Sequence, residues 1–184
     1  MIYINESFNK LKKLNIKKAI ITIGNFDGFH IYHQKIINKV IQIAKQENLT
    51  SIVMSFDKKI KDNITYTNLA TKKQKLDFIN NNLSDLDYFF DIKVDDSLIK
   101  TTKDQFIDVL INKLNVIKIV EGQDFKFGYL SQGNIYDLIK AFSKENVIIF
   151  KRDNDISSTK IKKLLDENLV DKAQELLGID LKLK

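Results

Sequence analysis

The 184-residue chain has no cysteine and no proline, and Arg152 is the only arginine among its 30 basic residues. Without cysteine there is no disulfide framework, no thiolate metal site and no cysteine nucleophile. The missing proline and scarce arginine, beside abundant Ile, Asn and Lys, read as the codon bias of an AT-rich genome. Lysine therefore stands where a less biased sequence would use arginine. No stretch approaches the roughly eighteen consecutive apolar residues of a membrane span. The N-terminus shows no basic flank followed by an apolar run, so no signal peptide is expected and the cytoplasm is the expected location.

What is present suits one globular domain. Apolar residues make up 43% and charged residues 29%, enough to bury a core and too apolar for disorder along the whole length. The formal net charge is +6. The lysines fall in small groups, such as Lys12/Lys13, Lys58/Lys59/Lys61 and Lys72/Lys73/Lys75. None is long enough to read as a nucleic-acid tail. A basic balance fits an anionic ligand and fits plain solubility equally.

Hydrophobic patterning alternates between two periods. Short apolar runs at 19–23, 51–56, 88–92, 116–120 and 147–150 predict buried strands. A helix is predicted from His30 to about Glu47, with Ile36, Ile37, Val40, Ile41 and Ala44 on one face. Thr71–Gln74 reads as a capping box opening a helix with Leu76, Ile79 and Leu83 on one face. Thr102–Gln105 is a second box, before Phe106, Ile107, Leu110, Ile111 and Leu114. Further helices are predicted at 135–142, from a Ser158 cap to about Asn168, and at 170–177 before Gly178. The order β-α-β-α-β-α-β-α-β-α-α predicts an α/β domain, a Rossmann-like open parallel sheet with helices on both faces. Such folds bind ligands beyond the carboxyl ends of the strands, where strand order reverses. Lys58–Asn68 is the expected mobile loop.

Three motifs follow strands. Gly24-Asn-Phe-Asp-Gly-Phe-His-Ile-Tyr-His-Gln34 holds the only two histidines, His30 and His33, three apart at a helix start. That spacing puts both rings on one face, where they and the free N–H groups of the first turn can converge on phosphate. Taken alone, such a pair reads more simply as a cap and a surface histidine. Gly122-Gln-Asp-Phe-Lys-Phe-Gly128 flanks the Asp124 carboxylate with two aromatics. Asp124 suits Mg²⁺ or a ligand donor, and of Phe125 and Phe127 one is expected to face the core and the other the site. The plain alternative is an Asx turn with two core aromatics. Ile156-Ser-Ser-Thr-Lys-Ile-Lys162 offers hydroxyls and amides at a helix N-terminus, with Lys162 one turn further. Alone it reads as an ordinary cap. Together, three ligand-type loops at one sheet edge argue for a site.

These residues resemble the nucleotidyltransferase superfamily marked by H-x-G-H and I-S-S-T-x-x-R. Within it they look like the adenylyltransferase domain of bacterial FAD synthetases. That pattern is roughly G-x-F-D-G-x-H-x-G-H-Q, a strand ending in F-D, G-x-D-F-R-F-G, and I-S-S-T-x-I-R. Here these stand as Gly24–Gln34, Phe56-Asp57, Gly122–Gly128 and Ile156–Lys162, and Val170–Gly178 looks like the family's closing helix.

The resemblance implies that ATP transfers its adenylyl group to FMN, giving FAD and pyrophosphate. It implies that His30 and His33 contact the ATP phosphates and stabilise the transition state. Ser157, Ser158, Thr159 and Lys162 would hold the β- and γ-phosphates, with Lys162 counted among the catalytic groups. Gly24, Phe26, Asp27 and Gly28 would shape the adenylate pocket. Phe56, Asp124, Phe125 and Phe127 would line the flavin side, with Asp124 near Mg²⁺. The expected partners are ATP and FMN, with no nucleic acid and no membrane. Oligomeric state is not legible.

Departures are local. Tyr32 replaces the glycine between the histidines, Lys162 and Lys126 replace arginines, and Lys58-Lys59-Ile60 lacks the family's prolines. Lys162 keeps the charge but loses bidentate phosphate binding. A single adenylyltransferase-like domain over 1–184 is expected, without the riboflavin kinase domain or its Thr-Ala-Asn turn. Tyr32 leaves open a paralogue that binds nucleotide or flavin without chemistry. Another phosphate-bearing acceptor is a further alternative.

Overall fold

A computed structural model describes residues 1–58, 69–151 and 157–180, with Ser158 described by its backbone alone. The strands are β1 (Ile2–Ser7), β2 (Ala19–Ile23), β3 (Thr50–Phe56), β4 (Tyr88–Lys93), β5 (Val116–Gly122), β6 (Lys126–Phe127), β7 (Gly133–Asn134) and β8 (Val147–Phe150). Six of them form one parallel sheet in the order β1-β4-β3-β2-β5-β8, and β6 and β7 form a small antiparallel hairpin. The helices are α1 (Ile31–Glu47), α2 (Lys72–Asn82), α3 (Asp96–Ile99), α4 (Lys103–Asp108), α5 (Ile135–Phe142), α6 (Ser158–Asp166) and α7 (Val170–Leu176).

Strand alternation builds two cores. Ala19, Ile21, Ile23, Ile52, Met54, Phe90 and Ile92 face one side, where Phe106, Leu110, Leu138 and Phe142 from α4, its continuation and α5 cover them. Val53 and Phe89 face the other, against Ile37 of α1, Phe78 and Ile79 of α2, Ile161 of α6 and Ala173 of α7. The α/β sandwich with helices on both faces is the architecture that the pattern predicts.

The expected caps form. Thr71 Oγ1 accepts from Gln74 N at 3.2 Å, and Gln74 Oε1 accepts from Thr71 N at 2.9 Å. Thr102 and Gln105 make the same exchange at 3.2 and 3.0 Å. A third box, Asn134 with Asp137, opens α5.

The structure corrects several details. β1 was not expected, because its mixed sequence Ile-Tyr-Ile-Asn-Glu-Ser lacks a clean apolar run. The hairpin strands are only two residues long and leave no periodicity to read. In α2 the buried stripe is Phe78, Ile79 and Leu83 with Lys75, while Leu76 is half-buried. In α1 Ile43 is buried and Ile41 half-buried, and after α4 a π-helical turn, Val109–Lys113, turns Ile111 outward. The α6 cap is Ser157, not Ser158, which already lies inside the helix. The expected loop beyond Lys58 lies outside the described residues.

From β2 the chain steps outward through β3 to β4, then returns to place β5 on the other flank of β2. Strand order therefore reverses between β2 and β5. Their ladder stops at Ile21↔Ile119, whereas β2 stays paired with β3 to Ile23↔Met54. The two carboxyl ends part there, which opens the crevice where ligands bind in such sheets.

Candidate active site

The turn after β2 is built into the core. Gly24 N donates to Met54 O at 3.0 Å, continuing the β3 pairing. Phe26, Asp27, Phe29 and His30 are only 2%, 5%, 0% and 3% exposed. The Asp27 carboxylate accepts from Leu69 N at 3.0 Å and Ala70 N at 3.1 Å, so both oxygens fasten the turn to the segment entering α2. Gly28 has φ +77°, and a Cβ there would lie 2.7 Å from Leu177 Cδ2. Phe29 is left-handed at φ +46°, an unusual state for a bulky residue. It is held by stacking on Phe78, with centroids 4.3 Å apart. Phe26, Asp27 and Gly28, expected at the adenylate pocket, have their contacts taken up by core packing and two buried amides.

The turn aims the histidines. His30 caps α1, its Nδ1 accepting from His33 N at 3.4 Å, and the rings stack with centroids 3.5 Å apart. Phe26 meets His33 edge-on at 5.0 Å. Burial lowers the His30 pKa to about 4, opposed by a hydrogen bond to its own backbone and then by Asp27. Burial also lowers the His33 pKa well below the usual imidazole range, helped by His30 and then by the Lys75 ammonium. Both rings are neutral at pH 7. Because His30 Nδ1 accepts a hydrogen bond, its proton sits on Nε2.

Across the crevice, Glu121 is buried at the end of β5 and its carboxylate accepts from Ile23 N at 2.6 Å. It also takes hydrogen bonds from the Gly122 amide and Thr22, while burial pushes its pKa well above the carboxylate range. The side chain thus supplies an acceptor where the β2–β5 ladder has ended. Beyond it, Phe125 N closes a turn onto Gly122 O at 3.0 Å. Phe127 is buried against Phe106, Phe125 is half-buried and stacks on Phe127 at 5.6 Å, and Asp124 is exposed. Residues two apart share a face, and both rings pack on the same core, so the expected division between them does not form and Phe127 is buried away from the ligand side where it was expected. Phe56 is half-buried against the same core, and Asp57 accepts from Val94 N at 2.9 Å, tying the end of β3 to β4.

Tyr32 reaches over this edge. Its O–H donates to Phe150 O at 3.4 Å, and a Cβ on Gly122 would lie 3.2 Å from both that hydroxyl and Asp124 Oδ1. Tyr32 packs against the cluster formed by Ile20, Ile36, Val40, Ile43, Ala44 and Val120. The phenol therefore spans the ends of β5 and β8.

After β8, Ser157 Oγ accepts from Lys160 N at 3.2 Å and caps α6. Ile161 is fully buried in the cluster that holds Phe26 and Phe29, which docks α6 beside the histidine turn. Thr159 is exposed and Lys162 half-buried. Two groups escaped the sequence reading. Glu121 follows an apolar strand run, and Lys75 stands one turn before Ile79 on the buried face of α2. In each case a charge at a core position was the signal.

Among the described residues no group of three or more His, Cys, Asp or Glu could hold a metal ion. Mg²⁺ often needs only one or two carboxylates besides substrate phosphates and waters. Exposed Asp124 at the crevice is a carboxylate of that kind.

A neutral histidine pair at a helix start, beside the strand-order reversal of a parallel sheet, defines an α/β domain of nucleotidyltransferase type. Solved structures share the fold. A macrolide-efflux protein from Streptococcus pneumoniae superposes with TM-score 0.80 over 98% of this chain and 61% of its own, at 22% identity. Nicotinic acid mononucleotide adenylyltransferase from Plasmodium falciparum, complexed with NaAD, gives 0.51 over 85% and 89%, at 17% identity. The FAD synthetase family model matches residues 12–163, and the chain belongs to that family. A bifunctional riboflavin kinase/FMN adenylyltransferase from Buchnera aphidicola (subsp. Schizaphis graminum) is 33% identical over 92% of this chain and 57% of its own length. An FAD synthetase from Listeria monocytogenes is 30% identical over 88% of this chain and 69% of its own. The chain spans little more than half the length of the bifunctional relatives. Among the described residues no helix is long and apolar enough to cross a membrane.

Proposed function

We propose that this chain is an FMN adenylyltransferase. The FMN phosphate attacks the α-phosphorus of ATP, the bond to the β-phosphate oxygen breaks, and pyrophosphate leaves. The observation that carries this reading is the stacked His30–His33 pair, set by a buried turn beside the β2–β5 crevice in a chain of the FAD synthetase family.

The nucleophile belongs to the substrate, so the protein's work is positioning and charge stabilisation. Neutral His30 offers its Nε2–H to a phosphate oxygen, and the rigid turn keeps that donor aimed without reorganisation. The α6 N-terminus presents the backbone amides of Ser158 and Thr159 and the Thr159 hydroxyl to the β- and γ-phosphates, with Ser157 as its cap. Lys162 adds a cation one turn on. Gly24 lets backbone approach the nucleotide, with Phe26, Asp27 and Gly28 as its frame. Phe125 and Phe56 line the flavin side, backed by Phe127. Asp124 would hold Mg²⁺ together with substrate phosphates, and the ion would neutralise charge on the departing pyrophosphate. The whole described chain acts as one adenylyltransferase domain on small-molecule substrates.

The test is incubation with FMN, ATP and Mg²⁺, with flavins resolved by chromatography. An FAD peak dependent on all three is the expected result. Folded protein that binds ATP yet forms no FAD would overturn the assignment, and a screen of other phosphorylated acceptors would follow.

A further inference from the structure

Lys75 is 9% exposed and lies on the sheet-facing side of α2. Its Nζ reaches Ser55 Oγ at 3.5 Å, at the carboxyl end of β3. Among the described residues, no carboxylate lies within 4.0 Å of that ammonium. A buried cation is costly unless it is paired, and one neutral hydroxyl at the limit of hydrogen bonding does little to offset its desolvation.

Its surroundings hold two further unmet groups. Ser55 and Asp91 are register partners on β3 and β4, on the face that carries α2. Asp91 is clamped by Tyr3, whose O–H donates to Oδ2 at 2.7 Å, while its Oδ1 is buried without a partner. Asp91 and Lys75 line one cavity of about 10 Å³, room for one water. The Lys75 charge also helps to lower the pKa of His33, whose Nδ1 is buried without a partner. The ammonium thus shares a cavity with the Asp91 carboxylate and acts electrostatically on the imidazole of the candidate site.

We propose that Lys75 binds a phosphate oxyanion of the substrates, its ammonium resting on Ser55 beside His33 until that anion arrives. The proposal rests on the adenylyltransferase reading of the site. Two phosphates share this chemistry, the FMN monophosphate and the ATP triphosphate. A lysine suits either, because it acts as a compact charge on a flexible stem and needs no fixed fork geometry. Asp91, held by Tyr3, lines the same one-water cavity and makes no direct ion pair with the resting ammonium.

The experiment compares wild type, Lys75→Met and Lys75→Arg for binding of FMN, riboflavin, ATP and adenosine, by flavin fluorescence and calorimetry. Loss of a charged hydrogen bond weakens binding by about ten- to a hundredfold. Lys75→Met is expected to lose that factor for FMN or for ATP, with riboflavin and adenosine unchanged within about twofold and Lys75→Arg largely restored. Loss for FMN assigns the acceptor phosphate, and loss for ATP assigns the triphosphate. Unchanged affinity for both, or equal weakening of riboflavin and adenosine, overturns the proposal.

Should Lys75→Met fail to fold, wild-type protein carrying ¹³C-lysine answers the same question. The Cε resonance absent from Lys75→Arg identifies Lys75. Its shift on adding FMN, ATP or pyrophosphate supports the site, and no shift with any of them overturns it. FAD formation by wild type is read separately. Phosphate-dependent binding at Lys75 without FAD keeps the anion site and removes the reaction. FAD formation with intact affinities in Lys75→Met does the reverse.

Discussion

The turns after β2 and β5 stand on opposite lips of one crevice and are written in similar residues: two glycines, an aspartate and phenylalanines. Their fates differ. In the first, Asp27 is buried and spent on the Leu69 and Ala70 amides, and both phenylalanines are in the core. In the second, Asp124 is exposed, and of its two phenylalanines only Phe127 is buried. The first is a frame whose chemistry is delivered by the histidines that it aims. The second leaves its carboxylate exposed at the surface. Similar local composition thus yields a part that cannot change without unfolding and a part that can.

That contrast is breakable by mutation. Asp27→Ala strands two buried amide donors, and each unsatisfied group costs about 1–3 kcal/mol. Chemical denaturation should show a loss of roughly 2–6 kcal/mol, with FAD formation falling alongside. A loss under about 1 kcal/mol would mean that water replaces the carboxylate and that the frame is soft.

His30→Ala should lower the rate of FAD formation by about 10²–10³-fold, as for loss of one preorganised donor. Circular dichroism should stay native, because the turn is held by its other residues. Unaltered turnover would remove the histidine from the mechanism.

Asp124→Asn sharpens the comparison from the other lip. It should slow FAD formation by about tenfold, with a melting temperature within about 1 °C of wild type, as expected of a surface change. A destabilisation like that of Asp27→Ala would erase the distinction between the two turns.

Proton linkage separates the lips as well. The folded-state pKa of His30 is about 4, below the unfolded imidazole value of 6.5, so the unfolded chain binds more protons between them. Stability should fall as pH drops from 6.5 toward 4, and His30→Ala should flatten that slope. Glu121 has the opposite sign. Its folded pKa is raised, so its contribution is lost as pH rises through that folded value, and Glu121→Gln should flatten the alkaline side. Denaturation midpoints across pH 4 to 9 check both slopes, and a shared sign would refute the pairing. The smallest effect belongs to Tyr32→Phe, which removes only a 3.4 Å hydrogen bond and should change stability by less than about 1 kcal/mol.

Much of the fold was legible because local patterns agree with it. The central run of β2 is apolar and buried throughout and that of β3 nearly so, as strands covered on both faces require, while the shorter run of β8 marks an edge strand with Ile149 exposed. The capping boxes at Thr71 and Thr102 are reciprocal exchanges over three residues and need nothing from elsewhere. β1 was illegible because its partner, β4, lies 86 residues downstream, and Tyr3 and Asn5 turn to Asp91 for hydrogen bonds. The histidine pair was legible as a candidate only by its place between a strand and a helix and by the two other loops at the same sheet edge. The division of labour around it was not. Nothing in Gly-Asn-Phe-Asp-Gly says that Asp27 will meet the Leu69 and Ala70 amides, or that Leu177 will press on Gly28.

The sequence by itself determined the parallel α/β plan, the capped helices, the family and the residue types gathered at one sheet edge. These follow from periodicity and from short motifs, interactions that a chain makes with its own neighbours. Only the tertiary structure decided which of those residues are frame and which face the crevice. It alone placed Glu121 across the parting strands, Tyr32 over the ends of β5 and β8, and Lys75 beside His33. The physical reason is that burial and pairing of charge depend on contacts between segments tens of residues apart, and no local pattern records which segment a side chain will meet.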